Sequence, residues 1–284
     1  FSGKYKSLFV ANQGDKQKRL DALMDAIAEV YASTFSPDPI QYRTERGLLD
    51  FKEEMGIMIQ AVVGQRIGRY YLPAFAGVAF SRNEFRWSPR IDRKDGLLRI
   101  VMGLGTRAVD RVSDDYPVLV APGQPALRAN ASPEEALKYS QHWIDAINLE
   151  TNSFETISLS QFLQEVGQDL PGLPNILSLL RDGRFVTPRA TGIDFEQDLP
   201  IVSFEGLVTR SPFVKQLHQI LLLLEKTLGY PVDIEFAFDG TDFYLLQCRP
   251  QSHAEESTPS PIPKDIPDQQ IVFTAKKHIS NGRV

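Results

Sequence analysis

Cysteine is nearly absent from the 284 residues. Cys248 stands alone, so no intrachain disulfide can form and a reducing, cytoplasmic setting is expected. Long apolar runs are missing too. The longest, Ile220–Leu224, is far shorter than the roughly 20 residues a membrane helix needs, and no membrane partner is expected. The four histidines, His142, His218, His253 and His278, show no paired ligand spacing, which argues against a zinc site. No G-x-S-x-G elbow is present to support a serine nucleophile. Charge of one sign is also lacking: 31 Lys and Arg against 36 Asp and Glu leave a net charge of -5. That balance gives no global field for nucleic acid, so none is expected as partner, and any anion site must be local.

What is present is ordinary globular composition, 42% apolar and 24% charged. Leu20, Leu23, Met24, Ile27, Val30 and Tyr31 recur at helical spacing over residues 16 to 31. Met55 to Val63, with Gln60 as its interior polar residue, predicts a buried strand. Strands are also expected at Gly77–Ser81 and, after the Asp95-Gly96 turn, at Leu97–Val101, followed by a Gly103-Leu104-Gly105 turn. Ser132 and Pro133 start one helix. Ser211-Pro212 starts another, with Val214, Leu217, Leu221, Leu224 and Leu228 inward and Gly229 at its end. Ile147–Glu150 and Phe154–Ile157 flank Thr151-Asn152-Ser153, which reads as a hairpin. Helices alternating irregularly with antiparallel-looking strands predict an α+β class. Asp114-Asp115 reads as a solvated loop pair.

The Pro/Ser-rich stretch Ser257–Pro263 reads as a linker. With Phe1-Ser2-Gly3 already inside an apolar pattern, this predicts a body over residues 1–250 and a linker with the start of a following segment over 251–284. The whole is expected to be a piece of a longer protein.

The stretch from Pro231 to Pro250 carries the chemistry. Two alternating strands flank Asp239-Gly240, a hairpin signal. One face is apolar: Val232, Ile234, Phe236 and Phe238 against Tyr244, Leu246 and Cys248. A three-residue loop, Gly240 to Asp242, would pair Asp239 with Phe243. It would set Glu235 opposite Gln247 and Asp233 opposite Arg249, within about 5.5 Å across the ladder. A two-residue turn would break the apolar match. Two carboxylates and an amide are hard oxygen donors suited to Mg²⁺. The adjacent guanidinium suits a transferring phosphoryl group. The periodicity alone favours a plainer reading, a solvated face with Asp233 and Arg249 as a minor ion pair.

The hairpin resembles that of the nucleotide-binding domain of the phosphoenolpyruvate synthase and pyruvate phosphate dikinase family. That pattern is D-x-E followed by Q-x-R twelve residues after the Glu, met here by Asp233, Glu235, Gln247 and Arg249. Gly77–Asn83, Met55–Val63, Gly103–Gly105 and Phe1-Ser2-Gly3 with Ser7 are similar to further family stretches. The resemblance spans residues 1 to about 250. It implies an ATP-grasp-like fold of mixed and antiparallel sheets with packed helices, here with an incomplete N-terminal lobe.

It further implies ATP and Mg²⁺ as cofactors. Glu235 and Gln247 would hold the metal-bound phosphates, and Arg249 would act on the transferring phosphates. Asp233 would serve as a second carboxylate, for metal or for orienting Arg249, Gln60 would lie near the adenine or the hinge, and Gly3 and Ser7 in the loop over the phosphates. The implied activity is a kinase of dikinase type that passes phosphate from ATP to a histidine on another domain and then to pyruvate. Its partners would be phosphohistidine and pyruvate-binding domains of the intact chain. The piece alone would turn over poorly, because the family's lysine and R-S-S arginine would precede Phe1. The same domain could instead serve a rifamycin or glucan acceptor, or sense nucleotide without catalysis. Ser2 and Ser7 stand where the family has alanine and threonine, and residues 84 to 93 bring Arg86, Arg90 and Arg93 around Trp87 as a solvated basic loop.

Overall fold

The computed structural model describes residues 5–50, 54–109, 115–130, 132–181, 184–188, 193, 198–251 and 267. Among the described residues twelve strands run in chain order: β1 Gln65–Ile67, β2 Tyr70–Leu72, β3 Phe75–Phe80, β4 Leu97–Met102, β5 Val118–Val120, β6 Trp143–Asn148, β7 Ser153–Ser158, β8 Leu177–Arg181, β9 Arg184–Val186, β10 Leu199–Val202, β11 Val232–Phe238 and β12 Phe243–Pro250. The helices are α1 Lys16–Ala32, α2 Pro37–Glu45, α3 Thr106–Val109, α4 Pro133–Lys138, α5 Leu159–Val166, α6 Leu173–Ile176, α7 Glu205–Thr209 and α8 Phe213–Leu228. They accompany three sheets, ordered β1-β2-β6-β7, β10-β8-β9 and β12-β11-β3-β4-β5. Every neighbouring pair is antiparallel. The class is α+β, as the sequence predicts.

The five-stranded sheet carries the hairpin in its β11 and β12. Its inner face is covered by α8, whose Phe213, Val214, Leu217 and Leu221 are buried. Phe213 meets Phe75, Phe236 and Phe243 at ring-centroid distances of 5.2, 5.8 and 6.0 Å. This aromatic cluster adds to the β11–β3 ladder in holding the hairpin to the body, since large rings supply the most buried area per side chain. α8 ends at Gly229 with φ +80°, but Leu228 is exposed rather than inward, because it falls on the last turn, past the sheet's reach. Ser132 Oγ accepts from the Glu135 amide and starts α4 as expected.

The expected strand over residues 55 to 63 is corrected. Residues 55 to 63 form no strand; Met58 and Ile59 are exposed. The run's apolar side chains line a cavity instead of pairing in a sheet. α1 forms over the predicted span, with Asp15 accepting from the Lys18 amide. None of its residues is buried, and Leu23, Ile27 and Val30 of the stripe face the same cavity.

Candidate functional site

The ladder sets Asp233 opposite Arg249 and Glu235 opposite Gln247, the pairs the binary pattern selects. Beyond Glu235 the register shifts by one: Phe236 faces Leu245, Ala237 faces Tyr244 and Phe238 faces Phe243. The predicted Asp239–Phe243 pair is therefore absent, and the loop has four residues. Asp239 Oδ1 accepts from the Thr241 and Asp242 amides at 2.8 Å each, which fixes this wider turn. Those bonds hold the Asp239 carboxyl below the usual aspartate range. A β-bulge at Leu246 restores the register at the functional end. In consequence Phe243, not Tyr244, packs on Phe236 at 5.6 Å. Tyr244 is exposed and donates its hydroxyl to Asp239.

Arg249 Nε donates to Asp233 Oδ1 at 2.6 Å, and an Nη of Arg249 stands 3.9 Å from Glu235 Oε1. Asp233 is almost fully buried, whereas Glu235 and Arg249 are about one-third exposed at 33% and 37%. The arrangement thus has a hidden carboxylate that orients the guanidinium and a half-open carboxylate beside it. Burial pushes the Glu235 carboxyl above the ordinary glutamate range, Arg249 opposing and the Asp233 charge assisting. The chain end of the ribbon is clamped by Gln251. Its side chain accepts from the Arg82 amide at 3.1 Å and donates to the Arg82 carbonyl at 2.9 Å.

Cys248 packs against the core on the hairpin's other face. Burial, then the Asp233 charge, pushes its thiol pKa up. Only the thiolate attacks, so alkylation by iodoacetamide at pH 8 is expected to run several-fold slower than for free cysteine. A rate equal to that of the free amino acid would contradict this burial.

A cavity of about 930 Å³ lies beside the hairpin, walled by α1, residues 55–62, Tyr71 and Ile147. Ser7 and Gln60 both line it. Gln60 Nε2 donates to the carbonyl of Leu246, the bulged residue, at 3.2 Å. Gln65 Nε2 donates to the Asp239 carbonyl at 2.8 Å. The cavity wall is thereby fastened to the ribbon that bears the four polar residues. Those four do not themselves line the cavity. Gly3 lies outside the described residues.

Two arginines escaped the reading of the motifs. Arg107, following the Gly103–Gly105 turn, is nearly buried between Asp115 at 2.8 Å and Asp145 at 3.1 Å. Asp115 is therefore not a solvated loop residue; its side chain is only 1% exposed. The other is Arg99, which faces Val78 across the ladder, as Val78 faces Glu235 and Phe80 faces Asp233. Opposed residues share a sheet face, so Arg99 lies on the polar face of the hairpin. A lone charge inside an otherwise apolar strand was the available signal. In the basic loop, Arg93 pairs with Glu84, and Trp87 donates to the Leu127 carbonyl at 2.9 Å.

As metal donors, Glu235 and Gln247 offer a carboxylate and an amide oxygen directly across one ladder rung. Among the described residues no trio of His, Cys, Asp or Glu is gathered around a point. A cation here would therefore take few protein oxygens, the regime of Mg²⁺ completed by phosphate and water. Among the described residues no helix is long and apolar enough to cross a membrane.

A half-buried carboxylate, an amide and an oriented guanidinium thus share one sheet face of an α+β module, with a cavity of about 930 Å³ fastened beside it. The family model for the AMP/ATP-binding domain of pyruvate phosphate dikinase matches residues 1–270 of this chain, and the chain belongs to that family. A comparison with curated proteins returns no match.

Proposed function

We propose that this chain is the ATP-binding part of a dikinase-type phosphotransferase, in an ATP-grasp-like arrangement whose nucleotide-binding body spans residues 1–250. The observation that carries this reading is the ladder pairing of Glu235 with Gln247 beside the Asp233–Arg249 ion pair. Asp233 fixes the guanidinium through Nε and leaves the Nη edge turned toward Glu235. That edge suits two phosphate oxygens at once. Glu235 and Gln247 would hold Mg²⁺, which when bound neutralises phosphate charge. Gln60 and Ser7, on the cavity wall, would meet the nucleoside and the phosphate loop, with Gly3. Arg249 would stabilise charge developing on the phosphoryl group as it leaves ATP. Its acceptor would be a histidine on a separate domain, and from there pyruvate.

The test is calorimetric titration of the protein in its complete natural form with Mg-ATP, joined to an assay of pyruvate-dependent AMP release. Saturable binding of Mg-ATP and AMP release on addition of pyruvate are expected. Absence of Mg-ATP binding would overturn the reading. Binding without pyruvate-dependent release would leave the nucleotide site standing and remove the proposed acceptor.

A further inference from the structure

The β11–β12 ribbon is pinned at both ends, and the two ends are out of step by one residue. At the turn, Asp239 Oδ1 accepts from the Thr241 and Asp242 amides, Asp239 Oδ2 accepts from the Tyr244 hydroxyl at 3.1 Å, and the Gln65 side chain donates to the Asp239 carbonyl. At the chain end, Asp233 holds Arg249, Cys248 packs on the core and Gln251 is clamped to Arg82. Phe236 pairs with Leu245 and Glu235 with Gln247, so β12 must fit one extra residue between them, and that residue is Leu246.

The place of the extra residue decides one rung at the functional end. With the bulge one position nearer the chain end, Leu246 would stand opposite Glu235 and Gln247 would be the unpaired residue. The Ile234–Cys248 and Asp233–Arg249 rungs would be untouched, so neither the packing of Cys248 nor the ion pair of Arg249 forbids that arrangement. What would be lost is the pairing of Glu235 with Gln247, the two donors proposed for the cation. Bulges beside functional sites re-aim single side chains, and here the bulge decides where Gln247 is aimed.

One bond singles out Leu246. β12 is the edge strand of its sheet, and the carbonyl of its bulged residue accepts from Gln60 Nε2 at 3.2 Å. Gln60 comes from a segment that walls the cavity and forms no strand, so this bond is not a by-product of sheet pairing. Moving the bulge would return Leu246 to the ladder and give up the bond.

Resting on the function proposed above, we infer that Gln60 is a positioning residue for the cation site. By holding the Leu246 carbonyl it fixes the bulge there and keeps Gln247 opposite Glu235. The cavity wall and the cation donors are then coupled through one side-chain amide.

The experiment is titration of the complete protein and of Gln60→Met, Gln247→Ala, the double variant and Gln65→Met with Mg-ATP, each variant's melting temperature being recorded. Gln60→Met keeps length without the donor and is expected to weaken binding about tenfold. Gln247→Ala is expected to weaken it about tenfold or more. The double variant is expected to lie within about threefold of Gln247→Ala alone, since Gln60 acts through Gln247. Gln65→Met frees the same wall from the turn but not from the bulge, and is expected to stay within about threefold of the parent. Gln60 is exposed; should Gln60→Met not fold, Gln60→Ala takes its place in the cycle. Parent-like affinity in the Gln60 variant, beside a loss in Gln247→Ala, would overturn the inference and leave the hairpin reading intact. Losses that multiply in the double variant would mean that Gln60 acts independently of Gln247, and an equal loss in Gln65→Met would mean a general loosening; either would overturn it. Unaltered binding in Gln247→Ala would instead sink the proposed cation pair, and the inference with it.

Discussion

Glu235→Gln is expected to lower Mg-ATP affinity about a hundredfold while leaving the protein as stable as before, or more so. The loss follows from the site's chemistry. Glutamine keeps the size and one oxygen donor but removes the charge that a hard cation needs. Truncating one member of a desolvated charged set costs about 2–5 kcal/mol. The unchanged stability follows from burial, which holds the carboxyl above the ordinary glutamate range. As pH rises through that range, the unfolded chain ionises first and the folded chain later, so the folded state loses stability until pH passes the raised folded value. Glutamine escapes that penalty. The melting temperature at neutral pH is therefore expected to stay within about 2 °C of the parent or to rise. Thermal unfolding at pH 4 and pH 7 checks the sign: the variant's advantage should be larger at pH 7. A variant that binds Mg-ATP like the parent would remove Glu235 from the proposed site. One that loses both binding and stability would make its role structural.

This hairpin also shows what a sequence can and cannot reveal. The pairs Asp233–Arg249 and Glu235–Gln247 were legible because strict alternation leaves one register that keeps Val232, Ile234 and Cys248 on the apolar side. The turn was not. A four-residue loop held by Asp239 shifts the register one way, and the bulge at Leu246 shifts it back. Two compensating single-residue offsets leave the functional end unaltered, so a simpler loop explains the same pattern. Phe243 takes the place of Tyr244 and Leu245 that of Leu246, so each exchange keeps its chemical kind. Residues 55–63 failed for a different reason. An apolar run looks alike whether it pairs in a sheet or walls a cavity, and period-based reading has no term for the missing partner. Of the candidate site, the residues with a motif were found in sequence. Arg107 was not, because one of its two carboxylate partners, Asp145, lies 38 residues further along the chain.

Arg107→Ala is expected to destabilise the fold by about 3–5 kcal/mol, a fall in melting temperature on the order of 10 °C. Its side chain is only 10% exposed and lies between two carboxylates that are more buried still. The neutral partners around them are already engaged. Asp145 accepts from the Thr106 and Thr156 hydroxyls at 2.6 and 2.7 Å, and Asp115 accepts from the His142 amide at 2.6 Å. Removing the guanidinium leaves two neighbouring charges facing each other out of reach of water, the costliest arrangement in a protein interior. The position matters as much as the energy. Asp145 belongs to β6 of the four-stranded sheet, and Arg107 belongs to α3, which packs on β3 and β4 of the five-stranded one. The Leu104 amide also donates to the Asp145 carbonyl. This ion cluster is therefore the joint that sets the hairpin-bearing sheet against the sheet that contributes Tyr71 and Ile147 to the cavity. Adding Asp145→Asn to Arg107→Ala removes one orphaned charge, and the pair should show a coupling energy of about 0.5–3 kcal/mol in denaturant unfolding. An Arg107→Ala variant within about 1 kcal/mol of the parent would show that this ion cluster is not what sets the sheets against each other. Mg-ATP affinity should fall alongside stability, because the residues proposed to face phosphate lie on the five-stranded sheet and Tyr71 and Ile147 of the cavity wall on the four-stranded one.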